Sequence, residues 1–116
     1  MATIERRKEI RINKHNTFQF TTAQGDQVAS QGLLVDYSAA GIRFLTDEPV
    51  DKNISLLIQL NLNEFDNDDI NWRDLWETGE EPYLNVIGSV MWCLATNQES
   101  GKFEVGTRFT QKVMGS

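Results

Sequence analysis

Cysteine and histidine are almost missing from this chain: its 116 residues hold one Cys, Cys93, and one His, His15. A lone cysteine cannot close an internal disulfide, and it fits a reducing compartment. One thiol and one imidazole leave a transition-metal site almost without ligands. Long apolar runs are lacking too. No stretch approaches the roughly 20 residues of a membrane-spanning helix. The opening Met-Ala-Thr-Ile-Glu-Arg-Arg has no apolar run of the kind that marks a secretory leader, so a cytoplasmic location is expected. There are no internal repeats or low-complexity tracts. Nor is there a phosphate-binding glycine loop or a nucleophile–base pair, which points away from an enzyme.

Positive charge is also scarce. Eleven Lys and Arg face seventeen Asp and Glu, for a net charge of −6. The distribution is uneven. Residues 1–16 carry five bases (Arg6, Arg7, Lys8, Arg11, Lys14) against Glu5 and Glu9. Residues 64–81 carry eight acids against the single base Arg73. An acidic whole argues against binding long nucleic acid, where affinity rests on many phosphate contacts. A small dianion needs only a local basic cluster, and the N-terminal segment supplies one.

What remains is the composition of one globular domain, 40% hydrophobic and long enough for a real core but not for two. Phe18 and Phe20, with Thr22, alternate with polar residues and predict a strand, closed by a turn at Gln24-Gly25-Asp26. Further strands are predicted over Val28 to Val35, Gly41 to Leu45, Ile54 to Leu62, Leu84 to Leu94 and Lys102 to Phe109. In the fourth of these six, Leu56, Ile58, Leu60 and Leu62 share one face. Six short strands separated by turn signals give an all-β small barrel or sandwich. The segment 64–82 breaks the pattern as an acidic insertion. Within it Trp72, Leu75 and Trp76 stand at i, i+3, i+4, the spacing of a short helix with an aromatic face, and Asp66 to Asp69 suit its N-terminus. Two roles are open to it: a flap packing its tryptophans onto the barrel, or a partner surface formed by Trp72 and Trp76.

Two motifs carry the functional signal. Arg7-Lys-Glu-Ile-Arg11 is an RxxxR preceded by Arg6, and Asp36-Tyr-Ser38-Ala-Ala-Gly41 is a DxSxxG. Gly41-Ile-Arg43-Phe44 continues the second motif as a strand. Gly88-Ser-Val90-Met-Trp92 and the later Gly106-Thr-Arg-Phe109 follow in the same order. Together these resemble the signature of PilZ domains, small bacterial barrels that bind cyclic di-GMP, over about Glu5 to Gln111.

The resemblance implies a six-stranded antiparallel barrel over residues 17–116. It also implies a flexible basic arm over residues 1–16, ordered by ligand. Cyclic di-GMP is then the ligand, with no cofactor and no metal. A downstream protein partner in motility, attachment (biofilm) or exopolysaccharide control is expected. The arginine fork pairs with two acceptors at once, whether phosphate oxygens or the O6 and N7 edge of guanine. Arg7 and Arg11 match the family's two arginines, and Arg6 matches the basic position that goes with an intercalated ligand dimer. Asp36 can accept from guanine N–H groups or orient an arginine, and the Ser38 hydroxyl can meet a phosphate or a base edge. Gly41 suits a tight turn or a positive φ. Trp92 matches a position that presents a side chain to a guanine face. Strand alternation also places it with Val86, Gly88 and Val90, so packing in the core stays open beside stacking. Arg43 and Arg108 are secondary candidates. Two other readings compete: a PilZ-fold interaction module without nucleotide binding, and a small-barrel binder of single-stranded nucleic acid, which pI 4.7 disfavours.

Overall fold

The computed structural model describes residues 12–13, 15–22, 29–65, 70–96 and 102–113. Its strands are β1 (Ile12–Asn13), β2 (Thr17–Thr22), β3 (Ser30–Ser38), β4 (Gly41–Thr46), β5 (Ser55–Asn61), β6 (Tyr83–Ala95) and β7 (Phe103–Lys112). All pairings are antiparallel. They run β3-β2-β5-β6-β7-β4, and a further β3–β4 pairing closes the ring. The result is a closed six-stranded barrel, as the sequence predicts. Closure leaves no open edge among the six strands, which is how a small all-β domain avoids edge-to-edge association. The short β1 adds to β3, with Ile12 opposite Tyr37 and Asn13 opposite Asp36. The basic arm carrying Arg6, Arg7 and Arg11, and the turn at residues 24–26, lie outside the described residues.

The core follows from period-2 alternation. In β2, Phe18 and Phe20 point in while Thr17 and Gln19 point out. In β5, Leu56, Ile58 and Leu60 point in while Leu57 and Gln59 point out, and Leu62 continues the buried set just past the strand. Phe18, Phe20 and Phe44 form one aromatic cluster, with ring centroids 5.0–5.9 Å apart.

A second cluster is built by the insertion. A 3-10 turn (Leu62–Phe65) and a four-residue helix α1 (Trp72–Leu75) connect β5 to β6. Trp72 is only 2% exposed. Its ring lies 5.4 Å from Tyr37, 5.9 Å from Phe65 and 5.6 Å from Phe109, and Trp76 packs 5.8 Å from Phe109. This corrects the reading of Trp72 as part of a partner surface, because its side chain is core; Trp76 is half-buried against it. Leu75, the other member of the i, i+3, i+4 set, does not join that face and is 49% exposed. The physical reason is helix length. One turn has room to bury its first residue and the residue after its last, and Leu75 falls on the far side.

The helix is capped by Asn71, whose Oδ1 accepts from the Asp74 N–H at 3.1 Å; residues 66–69, expected to favour this terminus, lie outside the described residues. Arg73, the one base in the acidic stretch, donates to the carbonyls of Gly79 (3.0 Å) and Glu81 (2.7 Å) and to Asn63 Oδ1 (3.2 Å). Lys112 of β7 donates to the carbonyls of Trp76 and Glu77, at 2.8 and 3.1 Å. The insertion is thereby tied to itself and to the barrel.

Candidate ligand site

The DxSxxG residues lie mostly within β3. Asp36, Tyr37 and Ser38 are its last three residues, and only Ala39 and Ala40 form the loop, since Ser38 pairs with Gly41. The Ala40 N–H donates to Ser38 Oγ at 3.2 Å, so the buried hydroxyl caps this turn. Gly41 serves close approach rather than positive φ. Among the described residues, positive φ occurs at Asn53, Glu77 and Gly79. A Cβ on Gly41 would instead fall against the Thr107 carbonyl oxygen of β7. Glycine here lets the hairpin meet β7 where the Phe109 N–H donates to the Ala40 carbonyl at 2.8 Å.

Two β-bulges place the other candidates. In β3, Leu34 pairs with Phe44 and Asp36 with Arg43, so Val35 is an extra residue. In β6, Val90 pairs with Thr107 and Trp92 with Gly106, so Met91 is an extra residue. A bulge shifts the alternation by one and moves every later side chain to the opposite face. After Val35, Tyr37 turns inward and Asp36 outward. After Met91, Cys93 turns inward against the core and Trp92 outward. Trp92 therefore does not share a face with Val86, Gly88 and Val90: the alternation that predicted this is broken at Met91.

The bulges and the register together align one row across five strands: Asn13, Asp36, Arg43, Gly106 and Trp92. Asp36 is 3% exposed and ion-paired with Arg43 Nη2. Arg43 Nε lies 3.2 Å from Glu104 Oε2, close enough to pair by charge although not aligned as a hydrogen bond. Arg43 is thus held on both sides by carboxylates. The Trp92 indole lies across Gly106, where a Cβ would collide with the ring. Beside it is a cleft of about 180 Å³ lined by Ile42, Arg43, Met91, Trp92, Gly106 and Thr107. It is smaller than the ~300 Å³ pockets that enclose a whole ligand, and it brings an aromatic ring and a guanidinium to one place.

Sequence reasoning named Asp36 and Trp92 but ranked Arg43 as secondary and gave Gly106 no role. Arg43 is in fact the centre of the row. Pairing the two bulges would have found it, but a bulge leaves only a broken alternation as its trace. Arg108 pairs with Ser89, outside this row. Arg6, Arg7 and Arg11 lie outside the described residues.

The chain matches the Bacillus subtilis inhibitor of motility (MotI/DgrA) with a TM-score of 0.58 at 14% identity, over 95% of this chain and 45% of that one. It matches the PilZ domain of YcgR from Escherichia coli, solved with c-di-GMP, with a TM-score of 0.55 at 14% identity, over 90% of this chain and 77% of that one. The fold is PilZ-like. MrkH of K. pneumonia, solved as a c-di-GMP complex, matches with a TM-score of 0.51 at 13% identity, over 92% of this chain and 45% of that one. The chain spans less than half the length of MotI and of MrkH. No family model and no curated relative matches it. Among the described residues no helix is long and apolar enough to cross a membrane.

Proposed function

We propose that this PilZ-like domain is a non-enzymatic receptor for cyclic di-GMP, with its site on the outer row Asp36–Arg43–Gly106–Trp92 and on the arginine segment that precedes β1 in the sequence. The observation that carries the reading is the row itself: two separate bulges turn a carboxylate and an indole to the same face, on either side of a cation. Asp36 is buried and ion-paired with Arg43, which suits it to orient arginines rather than to meet a base alone. Trp92 offers a ring face for a guanine, and such stacking is worth roughly 1–3 kcal/mol. Arg6, Arg7 and Arg11 supply forked donors for phosphate oxygens and guanine edges. Ordering of the arm over the ligand costs conformational entropy, which charge-assisted bonds offset. The surface formed by arm and ligand is then read by a protein partner in motility, attachment or exopolysaccharide control.

The test is calorimetric titration of cyclic di-GMP into the whole chain, with Arg7→Ala and Trp92→Ala as comparisons. Saturable binding is expected, abolished by the first variant and weakened about tenfold or more by the second. No heat and no change in tryptophan fluorescence up to high micromolar ligand would sink the proposal.

A further inference from the structure

The outer wall of β2, β5 and β6 is nearly free of charge. One row across it, Gln31–Gln19–Gln59–Asn85, consists entirely of carboxamides, and Gln59 Nε2 donates to Asn85 Oδ1 at 3.3 Å. The next row is Thr21–Leu57–Ile87–Gln111, with two aliphatic side chains at its middle. Leu57 is 37% exposed. A third row starts Ser55–Ser89 and reaches the first charge, Arg108, only at its end. In a chain of which 24% is charged, and whose charges belong at the surface, this wall is an exception. An apolar centre ringed by uncharged polar groups, with charge pushed to the margin, is the anatomy of a protein interface.

We infer that this wall is the face on which two copies of the chain associate about a two-fold axis. The charge pattern selects the occupant. In an isologous contact a patch meets itself, so any charge near the axis meets a like charge. In a chain of net charge −6, a neutral wall is the region that can lie on such an axis without like-charge repulsion. Carboxamides satisfy the same constraint positively, since each carries both donor and acceptor and complements its own copy. A basic or acidic partner would have selected opposite charge here, and none is present in the first two rows. Three neighbouring strands ~4.8 Å apart and three rows ~6.8 Å apart give a face of roughly 300 Å² in plan. Two such faces bury less than ~1,000 Å², the size of a weak, reversible contact rather than of an obligate dimer. The row Asp36–Arg43–Gly106–Trp92 shares no residue with this wall, so the pairing needs no ligand.

Sedimentation velocity on the whole chain, from about 5 µM to about 500 µM, is expected to show a monomer–dimer equilibrium in the micromolar range. Leu57→Lys and Leu57→Glu are each expected to be monomeric throughout, and an equimolar mixture of the two is expected to dimerise again. Gln59→Lys serves as a second exposed position should either Leu57 variant fold poorly, and it too is expected to be monomeric. A wild-type chain monomeric at every concentration overturns the inference. So does a dimer that survives these charges, or a Lys/Glu mixture that stays apart.

Discussion

Along β2 and β5 the side chains alternate without a break, with Phe18, Phe20, Leu56, Ile58 and Leu60 inward and Gln19, Leu57 and Gln59 outward. Along β3 and β6 the alternation breaks once each, at Val35 and Met91. The unbroken wall carries uncharged, mostly polar residues on its outside. The broken wall carries an ion pair, a glycine and an indole on its outside, and the Tyr37–Trp72–Phe109 cluster beneath. The difference is what a bulge does: it gives up ladder pairing locally in order to re-aim a side chain. A regular strand stabilises a barrel, and a bulged one can also present a site.

The strongest way to break the comparison is to remove the support under the bulged wall. Trp72 touches Tyr37, which lies between Asp36 and Ser38 in the chain and points inward under them. Neither indole N–H of Trp72 or Trp76 has a hydrogen-bond acceptor among the described residues, so packing holds both rings. Trp72→Ala should cost about 3–5 kcal/mol in urea unfolding. A loss under 1 kcal/mol would mean that the insertion is an appendage and the bulged wall stands without it. Leu75→Ala, three residues on and exposed, should fall within about 0.5 kcal/mol of the parent.

The unbroken wall is sharpened by a neighbouring pair of substitutions. Ile58 is fully buried and Leu57 is not, so Ile58→Ala should cost about 2–5 kcal/mol and Leu57→Ala about 0.5 kcal/mol or less. Similar losses at both positions would show that the strict alternation of β5 does not divide inside from outside.

This asymmetry also explains what was legible in the sequence. The barrel and its core were readable because Phe18 and Phe20 in β2, and Leu56 to Leu62 in and after β5, keep a period of two. The short helix was readable from the spacing of Trp72 and Trp76, though not the exposure of Leu75, which depends on how a single turn seats on the barrel. The motif residues Asp36, Ser38, Gly41 and Trp92 were readable only through the resemblance. Their positions were not, because Val35 and Met91 look like ordinary strand residues and nothing local marks either as the extra one. Arg43 was ranked second and Gly106 given no role for the same reason: their importance comes from register across four strands.

A smaller effect should come from Gly106→Ala. The new methyl meets the Trp92 ring rather than backbone, so the indole can swing aside. The expected stability cost is only about 1 kcal/mol. The larger change should be in the environment of Trp92, read as a shift in fluorescence emission and a loss of cyclic di-GMP affinity under the proposed function. An unchanged spectrum would show that the ring does not rest on Gly106 in solution.

The smallest expected effect isolates the electrostatics of the row. Glu104 is part-exposed and shares Arg43 with Asp36. A pair this exposed contributes about 0.2–1 kcal/mol and is screened by salt, so Glu104→Gln should move the unfolding midpoint hardly at all. Its consequence lies in competition. An anion arriving at Arg43 must displace or share with Glu104, and removing that carboxylate removes a like charge from the ligand's path. Cyclic di-GMP should therefore bind two- to fivefold more tightly to Glu104→Gln at low salt, the fold-change that corresponds to about 0.5–1 kcal/mol. The advantage should shrink as ionic strength rises. Asp36→Asn should act in the opposite direction, because Asp36 is buried and fixes the guanidinium rather than competing from outside. If the two substitutions changed affinity in the same direction, the two carboxylates would be equivalent, and the bulge at Val35 that buries one of them would have no consequence for binding.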